Sequence, residues 1–244
     1  MNTPSRPQTA FAPAWLSDAG GLRYHLRALR HRNGAWRPFR AQVARWLEAW
    51  APPGRELALV GPSAGHTLPP AWFARFDRVT VFEPDPFARR WLARRLSASR
   101  LHFSSEDVLG GAHPLETLNA LPDDCAILFC NVLGQVAPEA AERWHAPLRT
   151  RLGERDWASF HDVVSTDRPP RADAPDHACA EGSLEAILAR FWSGGELPLV
   201  DHDTFQLDGS GSADYTLWHL RPGRFHLVEW VTHRSPSQKS GATA

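Results

Sequence analysis

The sequence has a single lysine, Lys239, and only two tyrosines among its 244 residues. Arginine therefore supplies 26 of the 27 basic side chains, a bias that indicates the coding composition of the source genome, so no single surface arginine marks a site. The three cysteines, Cys125, Cys130 and Cys179, form neither a disulfide framework nor a zinc-type spacing. This cysteine usage favours a reducing compartment over a disulfide-rich secreted class.

The formal net charge is zero, because 27 basic residues balance 27 acidic ones. Without a basic excess or interleaved aromatic and basic residues, neither nucleic acid nor an anionic membrane is expected as a partner. No uncharged apolar run approaches the roughly 20 residues that span a bilayer. The N-terminus lacks the charged-then-apolar pattern of a signal peptide, so the sequence predicts a cytoplasmic protein.

The N-terminal part of the chain divides by composition. Proline and small residues dominate 1–20, and the tail at 235–244 is polar, so both ends are expected to be disordered. In 21–53, apolar residues recur every three or four positions and predict a helical extension of two amphipathic helices. Residues 1–50 carry eight arginines against two acidic residues. That surface is either a solvated helix face or a docking surface for a protein partner or an anionic substrate.

The remainder, 54–234, predicts one α/β domain. Short, continuously apolar segments alternate with amphipathic helical segments between 56 and 164, which is typical of parallel strands buried on both faces. A long, polar, proline-rich stretch at 165–183 is expected to be a loop that serves as a lid or a binding segment. The segment 215–234 predicts a β-hairpin around the turn "RPGR".

The motif "GPSAG" at 61–65 follows the first predicted strand and has two interpretations. It fits the nucleophile elbow of serine hydrolases, with Ser63 as nucleophile and His161, His202 or Asp203 as later members of a triad. It also fits a glycine loop in a nucleotide-binding domain. A hydrolase elbow needs several strands before it and a helix at once after it, and this sequence offers neither, so the nucleotide-binding interpretation is favoured.

An acidic residue supports that interpretation. Glu83 closes the second predicted strand, "VTVFE", 22 residues after Gly61. A carboxylate about 20 residues past the glycines commonly accepts hydrogen bonds from the ribose of a bound nucleotide. The sequence therefore predicts a nucleotide-type ligand between the loop and Glu83.

At this point the chain resembles the class I S-adenosylmethionine-dependent methyltransferase superfamily. Four stretches in order carry the resemblance: "LALVGPSAG", "VTVFEPDPFARRWLARR", "LHFSSEDVL" and "CAILFCNVLGQVAPEAAERWHAPLRTRL". The resemblance implies a Rossmann-like methyltransferase fold, with a mostly parallel seven-strand sheet and a C-terminal antiparallel hairpin. It also implies S-adenosylmethionine as cofactor and a small-molecule acceptor.

The resemblance implies a role for the loop, which departs from the usual pattern. Gly61, Ser63 and Gly65 would bring backbone close to the methionine part of the cofactor. The usual loop has glycine at three alternating positions, and serine stands at the middle one here. Pro62 stiffens the loop and removes one N–H.

The resemblance also implies roles for polar residues at three later strand ends. Glu83 would hold the ribose, Asp107 or failing it Glu106 would bind the adenine amino group, and Asn131 would face the cofactor and the acceptor. "GPSAGHTLP" and "NVLGQVAPEAAE" are also similar to nicotianamine synthase-like enzymes, which transfer an aminopropyl group from the same cofactor.

Two catalytic candidates stand at the end of the fifth predicted strand. His161 could act as a general base, since its unperturbed pKa is near neutrality, and Asp162 lies beside it. The alternative is a structural histidine. Asp201, His202 and Asp203 could join them in a metal site of mixed ligands. Nothing in the spacing requires that site, so no metal is predicted.

These patterns favour an S-adenosylmethionine-dependent methyltransferase that acts on a small molecule. Two other hypotheses remain open at this stage. One is a serine hydrolase that uses Ser63. The other is a non-catalytic partner protein that keeps the fold and docks through its arginine-rich helices.

Overall fold

The computed structural model describes residues 21–96, 98–110, 113–135, 144–194, 197–209 and 212–236. The ends predicted to be disordered lie outside the described residues, apart from residues 235 and 236.

Five helices are described, and none of them is long and apolar enough to cross a membrane. They are α1 (Gly21–His31), α2 (Arg37–Trp50), α3 (Pro86–Arg95), α4 (His145–Leu152) and α5 (Leu184–Phe191). The predicted helix after the first strand is a 3₁₀ turn at Pro70–Arg75, and the first part of the helix predicted over 138–152 lies outside the described residues.

The strands form one nine-stranded sheet. They are β1 (Glu56–Val60), β2 (Arg78–Phe82), β3 (Leu101–Ser104), β4 (Ala126–Cys130), β5 (Trp157–Thr166), β6 (His177–Glu181), β7 (Val200–Asp201), β8 (Ser212–Arg221) and β9 (Arg224–His233). Their order is β3-β2-β1-β4-β5-β9-β8-β6, and β7 pairs with β5 off this path. Strands β1 to β5 run parallel, and β9 pairs antiparallel with both β5 and β8. The predicted Rossmann-like α/β fold, a mostly parallel sheet with a C-terminal antiparallel hairpin, is confirmed.

The sheet exceeds the seven predicted strands by two. The stretch at 165–183, predicted to be a loop, contains β6, which extends the sheet beyond the hairpin by pairing with β8. That prediction was wrong because β6 is an edge strand with mostly exposed side chains, and such a strand carries no apolar run to reveal it. The second addition, β7, is only two residues long.

Strands β1 and β4 are almost entirely apolar because both faces of the sheet are covered. Along β1, Leu57 and Leu59 belong to the hydrophobic cluster on one face, and Ala58 and Val60 belong to the cluster on the other. Side chains alternate between faces along a strand, so both sets must be apolar when both faces are buried.

The helical extension is part of the same core. Phe39 of α2 stacks on Trp218 of β8 with ring centroids 4.5 Å apart and planes 7° apart. Trp36 donates a hydrogen bond from Nε1 to the carbonyl oxygen of Leu220 at 2.9 Å. These contacts anchor the extension on the C-terminal hairpin, on the face of the sheet that also carries Leu57 and Leu59.

Helix α1 is held against the loop that follows β1. His25 of α1 and His66 are both buried, with Nδ1 of the first 3.3 Å from Nε2 of the second. His25 Nε2 also lies 3.8 Å from a carboxylate oxygen of Asp85. Burial first, and the Arg95 guanidinium second, lower the pKa of His66 to about 3. The contact between α1 and the loop is therefore built from uncharged imidazole at neutral pH.

We expect Phe39→Ala to lower the free energy of unfolding by about 3–5 kcal/mol, the usual range for truncating a buried phenylalanine. The matched control is Phe87→Ala, because Phe87 is 70% exposed on α3. That variant should change stability by less than about 0.5 kcal/mol. Urea unfolding monitored by circular dichroism measures both. Equal effects of the two substitutions would contradict the conclusion that the helical extension shares its hydrophobic core with the sheet.

The low pKa of His66 predicts how stability depends on pH. Between about pH 6.5 and pH 3 the unfolded chain binds a proton at this histidine that the folded protein does not bind, so stability falls as pH falls through that window. The variant His66→Gln removes this contribution and should lose less stability between pH 7 and pH 4.5 than the wild type. His102→Gln, at an exposed histidine, should keep the wild-type slope. Urea midpoints measured across the series test this, and parallel slopes for all three proteins would refute it.

Candidate functional site

The loop that follows β1 has a left-handed backbone at three alternating positions. The angle φ is +61° at Gly61, +51° at Ser63 and +64° at Gly65. A Cβ at Gly61 would lie 2.8 Å from Val132, and one at Gly65 would lie 2.5 Å from Leu92 Cδ1. Both glycines are therefore required by backbone conformation and by packing within the chain, whatever the loop binds.

Glu83 connects the end of β2 to this loop. Its Oε2 accepts a hydrogen bond from the Ser63 backbone N–H at 2.8 Å, and its Oε1 accepts one from the Asp85 N–H at 3.0 Å. Burial raises the pKa of Glu83, and the two backbone hydrogen bonds oppose that rise. The carboxylate thus faces the loop, while its contact with a ribose stays a prediction.

The acidic residues that follow β3 are exposed to solvent. Asp107 and Glu106 are both exposed. Asp107 Oδ1 accepts hydrogen bonds from the N–H groups of Leu109 and Gly110, at 3.0 and 3.1 Å, so this side chain closes an Asx turn. Adenine recognition by either acid stays a prediction.

Asn131 directly follows β4 and is buried in a left-handed conformation with φ of +53°. Its N–H donates to the carbonyl oxygen of Phe160 at 2.7 Å. Its Nδ2 donates to Asp162 Oδ2 at 3.3 Å, and its Oδ1 has no hydrogen-bond partner among the described residues. This amide is the polar link between the ends of β4 and β5.

Two adjacent cavities open beyond the carboxyl ends of β1 and β4. A cleft of about 50 Å³ lies beside the loop, and a larger cavity of about 330 Å³ lies beside β5 and the hairpin. The two share four lining residues, namely Tyr24, Asn131, Gln135 and Trp218. Strand β1 has β2 on one side and β4 on the other, so this is the point at which strand order reverses and open α/β sheets bind ligands.

Several charged side chains line the larger cavity. Arg27 from α1, Arg221 from the end of β8 and Arg224 from the start of β9 line it, together with Asp162, His202 and His226. Arg224 donates from Nη2 to Ser165 Oγ at 2.7 Å. The sequence analysis missed Tyr24, His226 and Arg224, because no local pattern reveals that the first helix and the last hairpin meet at the end of β5.

The two catalytic candidates on β5 face opposite sides of the sheet. Consecutive residues of a strand face opposite sides of a sheet, and only Asp162 lines the cavity. His161 is 0% exposed, and its Nε2 lies 3.0 Å from the carbonyl oxygen of Thr204 and 3.4 Å from Glu229 Oε1. Its Nδ1 lies 2.9 Å from Ser159 Oγ. Both ring nitrogens thus have partners inside the fold, and the general-base role predicted for His161 is not retained.

Asp162 is 1% exposed and lies 2.8 Å from His226 Nδ1 through its Oδ2. Burial alone would raise the pKa of Asp162, but His226, His202 and Asn131 hold it below its ordinary value. The side chain is therefore a buried carboxylate at neutral pH, and it faces the cavity.

The serine-hydrolase interpretation gains no support from this geometry. Within the described part of the chain, no histidine is hydrogen-bonded to Ser63. The nearest histidine in sequence, His66, has its Nε2 turned to His25. Ser63 contributes its backbone N–H to Glu83 and does not show the nucleophile–base pair that the reaction needs.

No protein-family model matches the chain, and no curated protein sequence matches it. Several solved structures are similar to it at low identity. The DhpI–SAH complex is 13% identical with a TM-score of 0.42, over 88% of this chain and 94% of DhpI. The N-methyltransferase NodS from Bradyrhizobium japonicum WM9, in complex with S-adenosyl-L-homocysteine, is 14% identical with a TM-score of 0.43, over 82% and 87% of the two chains. Magnesium protoporphyrin IX methyltransferase ChlM from Synechocystis PCC 6803, with bound SAM, is 14% identical with a TM-score of 0.42, over 90% and 88%.

Proposed function

We propose that the chain is an S-adenosylmethionine-dependent methyltransferase that acts on a small-molecule acceptor. One observation carries the proposal. At the point where strand order reverses, the Gly61–Gly65 loop, the Glu83 carboxylate and Asn131 converge beside one pair of adjacent cavities. This is the location at which the fold binds nucleotide-type ligands.

The residues present are compatible with an adenosyl cofactor. Each oxygen of Glu83 accepts one backbone hydrogen bond, and a carboxylate oxygen can accept two, so ribose hydroxyls can still be bound. The cleft beside the loop is too small for a ligand of this size by itself. Together with the 330 Å³ cavity, it reaches the range of roughly 300–1,000 Å³ typical of small-molecule sites.

When bound, the cofactor supplies an activated methyl group on a sulfonium. The chain's own contribution to such a reaction is to hold the two reactants in line and to exclude water. Tyr24 and Trp218 line both cavities, and aromatic side chains attract a cation that lies over their rings. They are the walls that would stabilise the positive sulfonium at the junction of cleft and cavity.

The larger cavity is the proposed place where the acceptor meets the reactive end of the cofactor, and its charge points to an acidic acceptor. Three arginines line it against the single carboxylate of Asp162. An acceptor with a carboxylate, phosphate or ionised hydroxyl would neutralise this excess. Asp162 would accept a hydrogen bond from the acceptor. Exposed arginines of the helical extension, such as Arg30, Arg37 and Arg45, leave a protein partner as a separate proposal.

The cofactor is tested by calorimetric titration with S-adenosylmethionine and S-adenosyl-L-homocysteine, and we expect both to bind. Release of S-adenosyl-L-homocysteine during turnover would support methyl transfer, and release of methylthioadenosine would instead indicate aminopropyl transfer. Absence of binding heat with either ligand at millimolar concentration would overturn the proposal.

Glu83→Gln should weaken binding of S-adenosyl-L-homocysteine by about 10- to 100-fold, the usual effect of losing a hydrogen bond to a charged group. The amide can satisfy only one of the two backbone N–H groups that Glu83 now binds. Glu48→Gln, at an exposed acid of α2, is the matched control and should bind like the wild type. Calorimetry on folded samples measures both, and an unchanged affinity in Glu83→Gln would exclude the carboxylate from the cofactor site.

A further inference from the structure

A second site lies in the wall of the larger cavity. Asp162, His202 and His226 each offer one ligand atom, and these three atoms all lie within 4.8 Å of one another. We propose that the three residues, called here the Asp–His–His cluster, bind a divalent transition-metal ion. This inference does not rest on the proposed function, because the cluster is argued from its own geometry.

An irregularity in β5 builds the cluster. The pairing of β5 with β9 shifts between Asp162 and Val164, so Val163 is an extra residue in the strand. Because of this bulge, Asp162 and Ser165 both face the cavity although they are three positions apart. His226 is paired with Ser165, which brings its ring to the same face of the sheet.

The third member arrives from β7. This two-residue strand pairs with Val164 and Ser165 on the side of β5 opposite to β9. His202 follows it directly, and its N–H donates to the carbonyl oxygen of Val163 at 3.0 Å. The rings of His202 and His226 lie nearly parallel, with 6.4 Å between centroids. All three side chains are thus fixed by strand pairing, which is the rigidity that a binding site needs.

Buried atoms without partners point to a missing ligand. Asp162 Oδ1 and His226 Nε2 have no hydrogen-bond partner among the described residues, although the two side chains are 1% and 8% exposed. Asn131 Oδ1, which lines the same cavity, is also without a partner there. Buried polar atoms nearly always have a partner, so three such atoms around one cavity indicate that something else binds them.

Neighbouring groups orient the ligands. His202 is hydrogen-bonded to the backbone of Gly134, and its Nε2 lies 3.3 Å from Ser165 Oγ. Thr204 Oγ1 donates to the backbone carbonyl oxygen of Asp162 at 2.6 Å, and Asn131 Nδ2 donates to its side chain. Metal sites commonly have such a second layer, which fixes the rings and carboxylates that bind the ion.

The ligand set indicates the class of ion. Two imidazoles and one carboxylate suit zinc, iron(II), cobalt(II) or manganese(II) better than magnesium or calcium, which prefer all-oxygen ligands. A metal about 2.1 Å from each atom would hold them roughly 3.4 Å apart, so closure of at most about 1.4 Å from the observed 4.8 Å spread is needed. Side-chain rotation can supply that movement.

Three protein ligands leave coordination positions that face the cavity. Arg27, Arg221 and Arg224 make a bare cation less favourable there and make an anionic fourth ligand more favourable. The site would therefore bind the metal together with an anionic oxygen from a small molecule. A simple ion pair between Asp162 and His226 is the alternative. It leaves Asp162 Oδ1 and His226 Nε2 without partners among the described residues.

The test uses the full chain after treatment with a chelator, with no cofactor added, so that its result is independent of S-adenosylmethionine binding. We expect zinc(II) to bind by calorimetry with one ion per chain, and cobalt(II) to give visible absorption bands of a nitrogen- and oxygen-ligated site. Magnesium(II) should not bind. A chain that binds neither zinc(II) nor cobalt(II) would refute the site.

Variants then locate the ion. Asp162→Asn, His226→Asn and His202→Asn should each weaken zinc(II) binding by about 100-fold or more, since each removes or neutralises a direct ligand. His202 is only half-buried, so His202→Asn remains informative if the other two variants unfold. The matched control is His177→Asn, because His177 is also paired with a carboxylate, Asp214, at 3.0 Å, but on the surface. Equal affinities in His202→Asn and His177→Asn would show that zinc binds elsewhere and would overturn the proposal.

Discussion

The backbone of β5 needs hydrogen-bond partners on both of its sides, and the architecture around the cavities follows from how it obtains them. All ten residues of Trp157–Thr166 are buried, so every N–H and C=O must be satisfied within the chain. On one side, β9 pairs along the whole strand. On the other, β4 pairs only as far as Phe160, and β7 takes over at Val164. The change of partner leaves residues 161–163 without a pairing strand on that side, and Asp162 in this stretch lines the cavity.

Much of the sheet could be predicted from the sequence, because burial on both faces makes strands such as β1 and β4 almost entirely apolar. An apolar run does not reveal the edge strand β6, because most of its side chains are exposed and its sequence is typical of a loop. Burial also does not predict which of the two catalytic candidates faces the cavity. Alternation along β5 requires that only one of His161 and Asp162 faces the cavity, but the sequence does not say which one. The polar network of Ser159, Thr204 and Glu229 around His161 settles the choice, and its members are too far apart in sequence to be associated beforehand.

The candidate site could be predicted only in part. One half is built from residues close together in sequence, and the other half from residues far apart in sequence. The loop at 61–65 and Glu83 form a unit within one strand–helix–strand stretch, so their spacing revealed that they would meet. The cavity instead takes its walls from α1, the end of β5 and the C-terminal hairpin. Those elements are adjacent because Trp36 and Phe39 fix the extension on β8. No local sequence pattern predicts this tertiary contact. The arginine-rich extension is thus structural and also contributes Tyr24 and Arg27 to the cavity.

The bulge at Val163 has an evolutionary consequence. Because Val163 is the extra residue, a strand without it would pair in regular alternation and would still place Asp162 and Ser165 on one face of the sheet. A relative with the codon for this residue deleted could therefore keep the arrangement, with its aspartate and serine two positions apart instead of three. The spacing between these two residues would show from sequence alone whether the strand carries the bulge.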